Sequence, residues 1–146
     1  MTPHDIDVVQ KSFADIAPID DETGLKFYQR LFEIAPELRP LFPGDMEEQG
    51  RMFMAMLTVA VNGLSNIDLI ETDLRDLAIR HVGYGVKPAH YRKVGDALMW
   101  TLGQNFGNTF TPEVRAAWRS VYETLSGLMI EEGYGGGDED EPKGVL

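Results

Sequence analysis

Arg80-His81-Val82-Gly83-Tyr84-Gly85-Val86-Lys87-Pro88-Ala89-His90-Tyr91-Arg92-Lys93-Val94-Gly95 joins two helical stripes across a single bend. Upstream of it, Leu69, Thr72 or Asp73, Leu77 and His81 fall near one face, so a helix is expected from Leu69 to His81. Two glycines and a proline within the six residues Gly83–Pro88 favour turns over a continued helix. Pro88 suits the first turn of the next helix, whose stripe runs through Tyr91, Val94, Leu98, Leu102 and Phe106. His81 therefore stands in the last turn of an amphipathic helix. An imidazole there can serve the negative end of the helix dipole or hold a ligand, and one histidine does not decide between them.

Outward from this stretch the same periodicity continues. Ile6, Val9, Phe13 and Ile16 form one stripe of a first helix, with Asp5 as its expected N-cap. Pro18 and the residues Ile19-Asp20-Asp21 punctuate it. From Glu22 to Ala35 the apolar positions cover more than one face, as in a helix packed on two sides. A short turn follows from Pro36 to Leu38, ended by Pro40 and Pro43-Gly44. The next helix is expected from Asp45 or Glu47 to Val61, with Met46, Gln49, Phe53, Met56, Leu57 and Ala60 inward. Gly107–Phe110 is a break, and Thr111-Pro112-Glu113 reads as an N-cap with proline at the first helical position. That helix should reach Met129 or Ile130. No segment alternates in the way a half-buried strand requires, so the fold class is all-α.

At 146 residues, 43 % of them apolar, the chain suits one domain. Residues 1–132 read as that domain. Residues 133–146, a Gly-Gly-Gly run followed by acids, read as a disordered acidic tail. There are no cysteines, which excludes disulfides, thiolate-held metals and thiol catalysis. No secretory leader is visible, and the apolar run Met52–Val61 is ten residues where a spanning helix needs about 20. The expected location is the cytoplasm. Net charge is −11, from 24 acids and 13 bases. From Glu131 to Leu146 six acids face Lys143 alone, so that segment carries −5 and the remainder −6. An acidic body argues against nucleic acid and anionic membrane as partners.

Three stretches resemble a known family. Phe27-Tyr28-Gln29-Arg30-Leu31-Phe32 through Pro36-Glu37-Leu38-Arg39-Pro40-Leu41-Phe42 is similar to the second helix and following corner of bacterial haemoglobins and the haem domains of flavohaemoglobins. The opening stretch Arg80–Gly95 resembles the proximal region of the same globins, and Ala117-Trp118-Arg119-Ser120-Val121-Tyr122 their last helix. Neuroglobin-like bacterial globins are a close second comparison. The likeness runs from about Ile6 to Met129 in the family's order.

The resemblance implies a globin fold of six to eight helices around one haem b, not covalently attached. It makes His81 the proximal iron ligand, Phe42 the ring on the haem face, Tyr28 the distal tyrosine and Gln49 the distal-helix polar residue. Phe53 becomes the apolar group facing the iron, Leu57 lines the same pocket one turn on, and Val94 and Leu98 belong to the pocket as well. Tyr91 matches a proximal tyrosine that, in flavohaemoglobins, bonds to a glutamate near the end of the last helix. The chain departs there: Gly133 stands at the glutamate's position, with Glu132 beside it. The implied function is reversible binding of dioxygen and other diatomic gases, as carrier or store. Two alternatives stay open. One is oxidation of nitric oxide to nitrate by bound dioxygen, served by a separate reductase because no flavin domain is expected after Met129. The other is gas sensing. Monomer and homodimer are both left open.

Overall fold

The computed structural model describes residues 1–16 and 20–134; the side chains of Ile16, Asp20, Asp21 and Tyr134 are outside the description. Pro18 with its expected punctuation, and the expected tail from residue 135 on, lie outside the described residues. The described part is all-α, with six α-helices and three short 3-10 turns. They are α1 (Pro3–Ile16), α2 (Asp20–Ile34), α3 (Met46–Asn62), α4 (Ile67–Gly83), α5 (Pro88–Phe106) and α6 (Pro112–Tyr134). The 3-10 turns span Pro36–Leu41, Gly63–Asn66 and Gly107–Thr109.

Local chemistry sets the helix starts. Asp45 caps α3, accepting from the Glu47 amide at 3.2 Å. Thr111 accepts from the Val114 amide at 3.3 Å, with Pro112 in the first turn of α6. At α1 the expected cap is displaced. Thr2 is the residue whose hydroxyl accepts from the Asp5 amide (3.1 Å), while the Asp5 carboxylate takes the Thr2 amide (3.0 Å). That is a reciprocal capping box, and it starts the helix two residues before Asp5. The 3-10 turn after α2 also runs three residues past its expected end, because Pro40 is accommodated inside it.

Packing then follows glycines and apolar stripes. α2 crosses α3 with backbones almost touching: a Cβ on Gly24 would overlap the carbonyl of Gly50, and a Cβ on Gly50 would lie 2.9 Å from the Gly24 carbonyl carbon. Only two glycines permit that approach. α1 packs on α6 through Phe13 and Trp118, and the Trp118 indole donates to Ser12 at 2.8 Å. α2 also packs on α5, where Asn105 donates to the buried Thr23 hydroxyl at 3.0 Å. Among the described residues no sealed side-chain nitrogen or oxygen lacks a hydrogen bond.

α4 corrects the sequence reading in one respect. Its buried residues are Ile70, Leu74 and Ala78, with Leu77 and His81 half-buried, whereas Leu69 is 76 % exposed. The inward stripe runs 70, 74, 77, 78, 81, a closer fit to 3.6 residues per turn than one beginning at Leu69. α4 leans on α6 far more than on α3, which leaves open space between α3 and α4. The stretch Met46–Gly83 is, among the described residues, long and apolar enough on composition to cross a bilayer. Within it Met54, Val61 and Leu64 are in the core and Phe53, Met56, Leu57 and Ala60 face the open space, while Met52, Val59, Leu69 and Ile79 are exposed.

Candidate functional site

The open space is a cavity of about 340 Å³ reached by every helix except α1. Tyr28, Phe42, Gln49, Phe53, Leu57, His81, Tyr91, Val94 and Leu98, singled out from the sequence, all line it. Phe27, Leu31, Met56, Leu74, Leu77 and Met129 complete a largely apolar wall. Leu74 and Leu77 precede His81 by seven and four residues, so their place on its face was legible from helical spacing. Arg80, Tyr84, His90 and Tyr122 also line the cavity. No single helical stripe joins them: Arg80 is on α4 beside His81, Tyr84 is in the bend, His90 is on α5 and Tyr122 is on α6.

On the α4 side the His81 ring is held in a defined state. Its Nδ1 lies 2.8 Å from the Leu77 carbonyl oxygen. A carbonyl can only accept, so Nδ1 carries the hydrogen and Nε2 keeps a lone pair. Nε2 makes no hydrogen bond among the described residues, and it is not sealed off. Burial pushes the His81 pKa below the usual histidine value, which the Leu77 carbonyl opposes and Arg80 reinforces. The imidazole is therefore neutral at pH 7. Tyr91 stacks on it at 6.3 Å between ring centroids, and the Tyr91 carbonyl accepts from the hydroxyl of the half-buried Tyr122 at 2.6 Å.

His90 reaches the same cavity in the opposite state. Its Nδ1 accepts the Lys87 amide hydrogen at 3.0 Å, capping α5, so in the neutral ring Nε2 carries the hydrogen and no lone pair is left to offer. His4 pairs with Glu113 at 3.0 Å on the surface. Among the described residues no three His, Cys, Asp or Glu side chains converge to hold a bare metal ion. The donor set is thus one neutral imidazole with an available lone pair on an apolar cavity. That fits a metal which brings most of its own ligands, as in haem.

The α2–α3 side carries the polar pair. Gln49 donates its amide to the Tyr28 hydroxyl oxygen at 3.2 Å. The Tyr28 hydrogen is then left for another acceptor. Burial pushes the Tyr28 pKa up to about 12, against a smaller lowering by Gln49, so it is a neutral donor near pH 7. Aromatic rings box it in. Phe42 lies at 5.2 Å and Phe53 edge-on at 5.9 Å, while Phe53 is stacked on Phe27 at 4.1 Å. Arg39 donates to the Phe42 carbonyl and lies over the Phe32 ring, fixing the corner that delivers Phe42.

At the end of α6, Gly133 abuts α4: a Cβ there would stand 2.9 Å from the Val82 methyl carbon. Glu132 turns to Arg75, 3.0 Å away. Neither position therefore brings a carboxylate to the Tyr91 side of the cavity. A family model described as Globin matches residues 25–129, a span that includes all nine residues above. The chain belongs to the globin family. This globin is 25 % identical over 134 residues to a flavohemoprotein of Vibrio cholerae serotype O1, covering 90 % of the chain and 34 % of that relative. It is 30 % identical over 106 residues to a flavohemoprotein of Rhizobium meliloti, covering 70 % and 26 %. Against a protein of Oryza sativa subsp. indica named anaerobic nitrite reductase the identity is 26 % over 132 residues, covering 86 % of the globin and 91 % of the relative. The globin thus spans about a third and a quarter of the two flavohemoproteins.

Proposed function

We propose that this globin holds one haem b in the cavity and binds dioxygen reversibly, as a carrier or store. The observation that carries the reading is the state of His81: a neutral ring whose Nδ1 hydrogen goes to the Leu77 carbonyl and whose Nε2 lone pair is available. Haem, when bound, supplies an iron with one position for this imidazole and one for a diatomic gas. The chain does the rest. The Leu77 carbonyl fixes the tautomer and raises the basicity of His81. Phe42, Phe53, Leu57, Val94 and Leu98 exclude water from the cavity, so hydrogen bonds within it are stronger than in solvent. Tyr28 would offer its hydroxyl hydrogen to a polar ligand held in the cavity, and Gln49 turns the phenol by occupying its oxygen. Purified protein titrated with haemin tests the reading: a Soret band at one equivalent is expected, and its absence overturns it.

The similarity to two flavohemoproteins favours a second reading, oxidation of nitric oxide to nitrate by bound dioxygen with electrons from a separate reductase. Catalytic consumption of nitric oxide by the loaded protein with a supplied reductant separates the two. The absence of cysteine fits a cytoplasmic setting for either.

A further inference from the structure

The direction of the His81 ring depends on more than one contact. Leu77 holds Nδ1 from one turn earlier in α4, but a single hydrogen bond leaves the ring plane free to swing about it. Two rings flank that plane. Tyr84 lies at 6.1 Å between centroids and is tilted by 54°, and at 58 % exposure it has little to hold it in place. Tyr91 lies within 24° of parallel and is buried in one cluster with Ala78, Val86 and Met129, against which Leu77 packs. The plane of His81 is therefore set by Tyr91.

Tyr91 is the fourth residue of α5, close to the end where a helix frays. Its backbone is tied to α6 by Tyr122, whose hydroxyl donates to the Tyr91 carbonyl at 2.6 Å. Burial pushes the Tyr122 pKa up, and Tyr91 and Asp96 add to the rise, so the hydroxyl keeps its hydrogen. The bond needs the Tyr122 ring close against α5, and Gly95 gives the room: a Cβ there would stand 2.6 Å from Tyr122 Cε2. α6 also carries Gly133, which abuts Ala78 and Val82 of α4. One helix thus holds both the segment that bears His81 and the segment that bears Tyr91.

We propose that Tyr122 is a positioning residue for His81: by holding the Tyr91 carbonyl it keeps the Tyr91 ring against the imidazole, and so fixes the direction in which Nε2 faces the cavity. Its functional meaning rests on the haem-binding reading above, whereas the contacts themselves lie within the chain. A hydroxyl that only satisfied a carbonyl would have no bearing on His81. Thr101 is such a group, donating to the Ala97 carbonyl at 2.8 Å further along α5 and away from the cavity lining.

Tyr122→Phe keeps the ring and removes the one bond. In the apo form the probe is NMR of the His81 ring nitrogens. Wild type should give the single pattern of a ring protonated at Nδ1, and Y122F a pattern averaged over both tautomers. In the loaded ferrous protein the iron–histidine stretch in resonance Raman spectra should shift or broaden. Haem transfer to an excess of a tighter acceptor should speed up about tenfold, as on loss of an outer partner of a metal ligand. Thr101→Val should leave all three readings as in wild type. Tyr91→Leu should reproduce the Y122F changes. Adding Y122F to it should change haem transfer by less than about twofold, because side chains acting in series are not additive. An unmoved His81 pattern in Y122F overturns the proposal. So does an equal change in T101V, or a full effect of Y122F on the Tyr91→Leu background, which would mean that Tyr122 acts on the bound group directly. A failed Soret titration removes the function proposed above and leaves the apo measurement to decide the role of Tyr122.

Discussion

At the scale of single residues, the hydrogen-bond direction between Gln49 and Tyr28 decides what each does. Gln49 gives one of its two amide hydrogens to the phenol oxygen, so on the function proposed above Tyr28 would be the direct donor and Gln49 would act mainly through it. A charge-assisted bond of roughly 1.5–3 kcal/mol corresponds to about ten- to hundredfold in dissociation rate. Tyr28→Phe should speed dioxygen release by that factor and leave carbon monoxide release nearly unchanged, and Gln49→Leu should have the smaller effect. Stopped-flow displacement of dioxygen by carbon monoxide measures both; a larger effect of Gln49→Leu would reverse the assignment. Burial of the same phenol has a consequence for stability. Its folded pKa of about 12 exceeds the ordinary 10, so the neutral ring costs nothing below pH 10 in either state. Between pH 10 and 12 the unfolded chain ionises first, and folding stability falls by about 1.4 kcal/mol per unit. Tyr28→Phe should flatten part of the alkaline loss seen in urea melts between pH 9 and 12. Residue types and spacing made Tyr28 and Gln49 legible as candidates, but not their order of action, which depends on a side-chain direction set by tertiary contact.

At the scale of elements, the α2–α3 crossing is what places that pair. Tyr28 is one turn from Gly24, and Gln49 adjoins Gly50, so the distance between the two polar side chains is set by how closely the glycines let the helices approach. Gly24→Ala must push backbone against backbone, which no rotamer change relieves. The expected loss is about 1–3 kcal/mol, or about 2–4 °C in Tm for each kcal/mol at this size. A faster dioxygen release should accompany it as the polar pair separates. Gly44→Ala, where an added Cβ meets nothing within 4 Å, should stay within about 0.5 kcal/mol and serves as the control. A neutral Gly24→Ala would show that the helices can part without harm. The helices themselves were legible in the sequence because apolar stripes and caps are local signals. What was not legible follows from physics beyond one helix. Leu69 is apolar and near the expected face, but the face is chosen by what α4 packs on: Ile70 meets Gly63 of the preceding 3-10 turn, Leu74 lines the cavity and Ala78 meets Gly133 of α6. α6 continues to Tyr134, beyond the expected end at Met129 or Ile130, because its last turns pack against α4.

At the scale of the whole molecule, a cavity of about 340 Å³ lined mostly by apolar side chains is a place where the core lacks contacts. Such a wall stabilises the fold poorly until something apolar fills it. A group that binds the folded chain and not the unfolded one adds about 4 kcal/mol at a thousandfold excess over its Kd. At 2–4 °C per kcal/mol, haemin should raise Tm by roughly 8–16 °C. His81 and His90 make the test discriminating, since both line the cavity and only their bonded states differ. His81→Ala removes the available lone pair and should cut most of the rise. His90→Ala removes a cap on α5, lowering the Tm of apo and loaded protein alike by the cost of about 1 kcal/mol, and should leave the difference between them intact. Scanning calorimetry of the wild type and both variants, with and without haemin, reads the two effects separately. An equal rise in wild type and His81→Ala would mean that the cavity holds the group by apolar contact alone. The tautomer argument would then fail even with a Soret band present.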